Sequence, residues 1–112
     1  MPRDEAILLD VAKAARRARE FASGYDRVAF LADAKTQSAV LHQLLVLGEA
    51  VKRLSEAFRA RHPAIPWRLM AGMRDQLIHG YDFVDYDEVW KAVQDDIPLL
   101  REQIEPRLPQ TE

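Results

Sequence analysis

The sequence predicts an all-α protein, an antiparallel bundle of four main helices plus one short helix. Apolar residues recur at spacings of three and four along most of the 112-residue chain. No stretch of convincing length alternates apolar and polar residues as a strand does. Candidate caps and prolines separate the periodic segments. Residues 1–112 are therefore expected to form a single helical domain around one core.

The first two predicted elements are a long amphipathic helix and a short one. Residues 4–22 carry an apolar stripe at helical spacing, and Gly24 is expected to end the helix. Residues 25–31 are predicted to form a short helical turn. The stripe of the first helix consists of Ile7, Val11, Ala14, Ala18 and Phe21. Its arginines are expected mostly on the solvent side: Arg16, Arg17 and Arg19.

The longest predicted helix covers residues 35–61, and its wide apolar stripe is typical of a central helix with several neighbours. Gly48 lies within it and costs about 1 kcal/mol relative to Ala. This cost indicates that another backbone packs closely there. Glu49 and Lys52 follow, either as an ordinary surface ion pair or as a pair that faces the next helix.

The next helix is expected over residues 66–79, because His62-Pro63 ends the previous one and Pro66 suits a first helical position. Trp67 is interpreted as a core anchor of this helix.

After a loop, Asp85 and Glu88 have the spacing of a capping box and predict the start of the last helix. Its apolar repeat continues past Pro98, which should kink it, and Pro106 and Pro109 mark its end.

Composition limits the function classes. The net charge of −2 argues against non-specific coating of nucleic acid, and the absence of cysteine excludes disulfides and thiolate metal sites. The N-terminal residues lack a signal-peptide pattern, and no apolar run reaches the length of a membrane span. We expect a cytoplasmic protein with no membrane partner. Residues 52–74 hold six basic residues and one acid, which indicates either an approach for a phosphate-bearing ligand or a solvated helix face.

Residues 73–81, with the sequence MRDQLIHGY, concentrate the groups capable of proton or phosphate chemistry. Asp75 and His79 are four residues apart, so on a helix the carboxylate can hold one imidazole nitrogen and leave the other free. Arg74 supplies a planar cation suited to phosphate, and Tyr81 follows Gly80 just past the helix end. Such residues could also form an ordinary charged helix terminus.

Helical geometry limits how these groups can act together. Arg74 and His79 are five residues apart, about 140° around a helix, and therefore do not share a face. Either the last turn is distorted near Gly80, or the two groups converge on a ligand in a cleft completed by a second subunit.

With these elements placed, the chain resembles the HepT-like toxins of the HEPN superfamily, which are small helical ribonucleases. Their motif begins with an Arg, and a polar residue follows it directly. Four to six residues separate this Arg from a His, and one further residue separates the His from a Tyr. Here the motif reads Arg74-Asp75, three residues, His79-Gly80-Tyr81. Residues 47–54, 65–68 and 84–90 also match the family's pattern.

The resemblance implies a metal-independent endoribonuclease without a cofactor, which cleaves RNA, tRNA being one candidate. It also implies a homodimer whose two motif helices form the active site at the interface. In this hypothesis His79 moves a proton as the ribose 2′-OH attacks phosphorus, Arg74 stabilises the added negative charge, and Asp75 orients the imidazole.

The resemblance further implies a partner, a minimal nucleotidyltransferase antitoxin that transfers AMP to Tyr81. The attached nucleotide would add negative charge and bulk at the site. Two rival readings remain at this stage. One is a non-catalytic helical binding subunit of a nucleotidyltransferase complex. The other is a metal site built from His42, His62 and His79, which lack the ligand spacing that such a site needs.

Overall fold

The computed structural model describes residues 3–65, 67, 70–71 and 84–109, and most of these residues are helical. The helices in chain order are α1 (Arg3–Ala22), α2 (Arg27–Leu31), α3 (Ala34–Arg53), α4 (Glu56–Arg61), α5 (Tyr86–Lys91) and α6 (Ile97–Ile104). A π-helical segment, Ala92–Asp96, joins α5 to α6, and a 3₁₀ turn, Glu105–Arg107, follows α6. The described residues include no strand, which confirms the predicted all-α class. The count of four main helices and the dimer stay predictions.

The core forms mainly between α1, α3 and the helical path from α5 to α6. The pairing of α1 with α3 is the most extensive contact between any two elements. Fully buried side chains come from each of these elements and from α2, and they include Leu8, Val11, Phe30, Leu44, Leu47, Ile97, Leu100 and Ile104. The predicted stripe of α1 is confirmed except at Phe21, which is 40% exposed near the helix end.

The turn between α1 and α3 follows the predicted pattern. Gly24 ends α1 with a φ of +83°, a left-handed conformation that a residue with a Cβ rarely adopts. Asp26 then caps α2 by accepting a hydrogen bond from the backbone N–H of Ala29 at 2.8 Å. Asp33 caps α3 by accepting one from Thr36. Local side chains therefore account for both helix starts.

The prediction of one helix over residues 35–61 is wrong, because the helix is interrupted between α3 and α4. Leu54 and Ser55 are both extended, with ψ angles of 144° and 151°. The Ser55 hydroxyl caps α4 at the N–H of Phe58. Asp4 of α1 accepts hydrogen bonds from the backbone N–H and the hydroxyl of Ser55, at 2.9 and 2.7 Å. A contact from a distant helix thus stabilises the interruption.

The last helix behaves differently at Pro98. The backbone stays helical from α5 to α6, and the π-helical segment ends directly before Ile97 and Pro98. The kink expected at Pro98 stays a prediction. In this segment the N–H of Ile97 bonds to the carbonyl of Ala92, five residues earlier. Pro98 has no N–H to continue the pattern to the carbonyl of Val93. Arg19 Nη1 donates to that carbonyl instead, at 3.2 Å.

Among the described residues, no helix combines the length and the apolar character that a bilayer crossing requires.

Candidate active site

The residues predicted to form the site, Arg74, Asp75, His79 and Tyr81, lie outside the described residues. The expected helix over residues 66–79 is described only at Trp67, Met70 and Ala71, all of which are helical. The convergence of Arg74 with His79 therefore stays a prediction. The structure shows how the two ends of the motif segment are anchored in the fold.

Trp67 anchors the beginning of the segment, as predicted. Its side chain is only 6% exposed. The indole Nε1 donates to the carbonyl oxygens of Arg59 and His62, at 3.2 and 3.1 Å. Arg59 lies in the last turn of α4 and His62 is its C-terminal cap. Each carbonyl also accepts a backbone N–H at 3.2 Å, from His62 and Ile65 respectively, so the indole is a second donor to both. The indole therefore ties the start of the motif helix to the end of α4.

His62 forms the centre of an aromatic and basic cluster at the same place. Its ring lies 4.7 Å from that of Phe58, and the Arg61 guanidinium carbon lies 5.8 Å from the centre of the Phe58 ring. Arg107 Nε donates to His62 Nδ1 at 2.9 Å. Desolvation, and then the charges of Arg107 and Arg61, lower the pKa of His62. The imidazole is thus kept neutral as an acceptor, and the 3₁₀ turn is tied to α4.

The other end of the segment enters α5 through Asp85. Its carboxylate accepts hydrogen bonds from the backbone N–H groups of Asp87 and Glu88, at 3.0 and 3.3 Å. The predicted cap is thus confirmed. Arg27 of α2 donates to Asp87 at 2.6 Å. A surface ion pair of this kind contributes little stability, but it sets α5 against α2.

Aromatic packing completes this second anchor. The Phe30 ring is fully buried and lies 5.1 Å from the Trp90 ring and 6.4 Å from the Tyr86 ring. Offset and edge contacts of this kind favour a defined orientation of α5. Both ends of the motif segment are therefore attached to well-packed parts of the bundle.

The other candidate residues that the structure describes lie in or near α3 and α4. Glu49 and Lys52 are exposed on α3, and neither is without an interaction partner. Their proximity to the motif stays a prediction. His42 is exposed on α3, and His62 is the C-terminal cap of α4. Among the basic residues between 52 and 61, Lys52, Arg53 and Arg61 are exposed. Arg53 pairs with Asp10 at the surface, and Arg61 lies over Phe58.

Comparison with known proteins identifies the family of the chain. A family model described as "Ribonuclease HepT-like" matches residues 11–106, a range that includes the whole motif.

Two archaeal relatives match nearly the whole chain. "Probable ribonuclease HepT" of Thermococcus cleftensis is 46% identical over 98 residues, which are 88% of this chain and 89% of the relative. A protein of Methanocaldococcus jannaschii provisionally named RNase MJ1380 is 34% identical over 101 residues, 90% of this chain and 93% of the relative. No solved structure matches the chain. The chain therefore belongs to the family of HepT-like ribonucleases.

Proposed function

We propose that the protein is a metal-independent endoribonuclease that cleaves RNA through Arg74 and His79. The observation that carries the proposal is the presence of the complete Arg-Asp…His-Gly-Tyr motif within residues 11–106, the range matched by the ribonuclease family. The anchors at Trp67 and Asp85 support it, because catalytic groups must be presented on a rigid scaffold.

The chemistry follows from the residue types. The ribose 2′-oxygen attacks the adjacent phosphorus, the bond to the 5′-oxygen breaks, and the products carry a 2′,3′-cyclic phosphate and a 5′-hydroxyl. His79 moves the proton between these oxygens, and Asp75 holds its imidazole. Arg74 stabilises the negative charge that grows on the phosphoryl oxygens. DNA lacks the nucleophile, so the mechanism restricts cleavage to RNA.

A homodimer with the site at its interface is part of the proposal, because two residues five apart on a helix, as Arg74 and His79 are expected to be, do not share a face. In this arrangement the two motif helices face each other, and each supplies groups to a shared cleft. Light scattering on the purified protein should therefore give the mass of a dimer.

The decisive experiment is cleavage of total RNA and purified tRNA in EDTA by the wild type, His79→Ala and His42→Ala. His42 is an exposed histidine of α3 and serves as the matched control. Cleavage by the wild type and His42→Ala, with at least a hundredfold loss in His79→Ala, is expected. A substrate with 2′-O-methyl groups should resist the wild type. Equal activity of His79→Ala would refute the mechanism, and no cleavage by any unmodified preparation would favour the non-catalytic binding subunit.

Regulation is proposed to occur at Tyr81. A nucleotidyltransferase partner transfers AMP from ATP to the phenol oxygen, and pyrophosphate leaves. The added phosphate repels RNA from the site. Mass spectrometry after co-expression with such a partner should show a Tyr81 peptide heavier by one AMP group. An unmodified peptide together with lost activity would exclude this form of control.

A further inference from the structure

A polar cavity lies outside the motif, where the end of α1 meets the π-helical segment and α6. Its volume is about 720 Å³, and most of its lining side chains are polar. Three arginines, Arg16, Arg19 and Arg101, share the lining with one acid, Glu20. Such a lining offers few contacts to an apolar ligand and favours the binding of an anion.

The three arginines are held in different ways. Arg19 donates to two neutral oxygens, the carbonyl of Val93 and the side-chain amide of Gln94, both at 3.2 Å. These bonds fix its position without neutralising its charge. Arg16 is exposed and forms no ion pair with any residue that the structure describes. Arg101 pairs with Glu105 through Nε and Nη2. Arg19 is therefore a fixed cation, and Arg16 is an available one.

Tyr25 adds an aromatic surface to the lining. Its hydroxyl donates to Asp33 Oδ2 at 2.8 Å and accepts from Thr36 Oγ1 at 3.0 Å. The ring is partly buried against the core. Because the hydroxyl is used within the fold, the part of the ring that lines the cavity is what remains for a ligand. Arginines beside an aromatic ring are the combination that binds single-stranded nucleic acid, through phosphates and a stacked base.

The cavity also lies apart from Asp85, where the motif segment enters α5. Gln94 is nine residues beyond Asp85 along the helical path that follows the motif segment, a rise of about 13 Å. A ligand confined to one nucleotide would therefore not extend from Asp85 to the cavity. An RNA strand of several nucleotides is long enough to do so.

We infer that the cavity binds backbone phosphates of the RNA strand away from the cleaved bond, with a base stacked on Tyr25. This inference rests on the proposed ribonuclease function and names the surface that holds its substrate. The chain as a whole carries a net charge of −2, so RNA needs a local cationic surface of this kind. Each phosphate bound there releases counterions and makes binding weaker as salt rises.

The test compares Arg16→Gln with Arg17→Gln, each in the His79→Ala background so that RNA is bound and not cut. Arg17 is the exposed neighbour in α1 that does not line the cavity. Arg16→Gln should lower the affinity for a fluorescent single-stranded RNA about five- to tenfold at low salt. It should also reduce the slope of log affinity against log salt by about 0.7, the value for one lost phosphate contact on a single strand. Single-stranded DNA of the same sequence should compete, because backbone contacts do not require the 2′-hydroxyl.

The outcomes separate this inference from the proposed function. Equal affinity and equal salt slope for the two variants would overturn the cavity assignment, whether or not the wild type cleaves RNA. If RNA binding depends on Arg16 but the wild type never cleaves RNA, the cavity assignment stands and the ribonuclease mechanism is refuted. Arg16-dependent binding of an acidic protein, with RNA unaffected, would overturn RNA as the ligand.

Discussion

Two interruptions in the helical pattern flank the motif segment, and they differ in an instructive way. Between α3 and α4 the sequence contains no proline or glycine, yet the helix is broken at Leu54 and Ser55. At Pro98 the sequence contains a strong helix breaker, yet the backbone remains helical through a π-helical segment. Local helix propensity therefore favours a break at Pro98, whereas the helix actually breaks at Leu54 and Ser55.

The difference follows from what α1 contributes at each place. Asp4, near its beginning, accepts two hydrogen bonds from Ser55 and stabilises the extended residues. Arg19, near its end, supplies the donor that Pro98 lacks and so stabilises a continued helix at Val93. Hydrogen bonds from α1 thus hold the chain both before and after the motif segment. In this way α1 stabilises the parts of the fold that carry the candidate site, although it lies far from the motif in sequence.

The largest expected effect on stability comes from Arg19→Met, which keeps the apolar stem and removes the guanidinium donors. The carbonyl of Val93 loses its partner, and the cost should be about 2 kcal/mol in the free energy of unfolding measured with urea. Adding Pro98→Ala restores a backbone N–H near this carbonyl, so the cost of Arg19→Met should fall by about half in that background. Equal costs in the two backgrounds would show that Arg19 does not substitute for the missing proline donor.

A smaller effect is expected from Asp4→Asn at the other interruption. The hydrogen bonds from Ser55 lower the pKa of Asp4, the side-chain bond being the largest cause. A carboxyl whose pKa is lowered by folding stabilises the fold above its unfolded pKa of about 4 and loses this contribution as the pH falls through the folded pKa.

The variant should therefore be less stable by about 0.5–1 kcal/mol at pH 7. It should approach the wild type as the pH is lowered below about 4. Asp10→Asn is the matched control, because within the described part of the chain Asp10 meets only the surface guanidinium of Arg53, at 3.5 Å. If the two variants have the same pH profile, Asp4 has no special role at the interruption.

The sequence alone was sufficient for the all-α class, most of the core stripes, the end of α1 at Gly24 and the start of α5 at Asp85, which the structure shows as a cap. These features depend on interactions within a few residues, namely helical periodicity and side chains that bond to nearby N–H groups. The motif of residues 74–81 was equally readable, and the family match confirms the ribonuclease identification that it suggested. The roles of its individual residues remain predictions.

The tertiary structure decided what depends on residues far apart in the chain. Asp4 bonds to Ser55 at the helix break, and Arg19 bonds to Val93 where the helix continues. These contacts span 51 and 74 residues of the chain. The cavity has the same origin. Arg16 is exposed and Arg19 is partly buried, in line with the predicted solvent side of α1, but only packing against α6 brings Arg101 beside them. Spacing along one helix identifies a face, but only packing against a second helix determines whether that face meets solvent or forms the wall of a site.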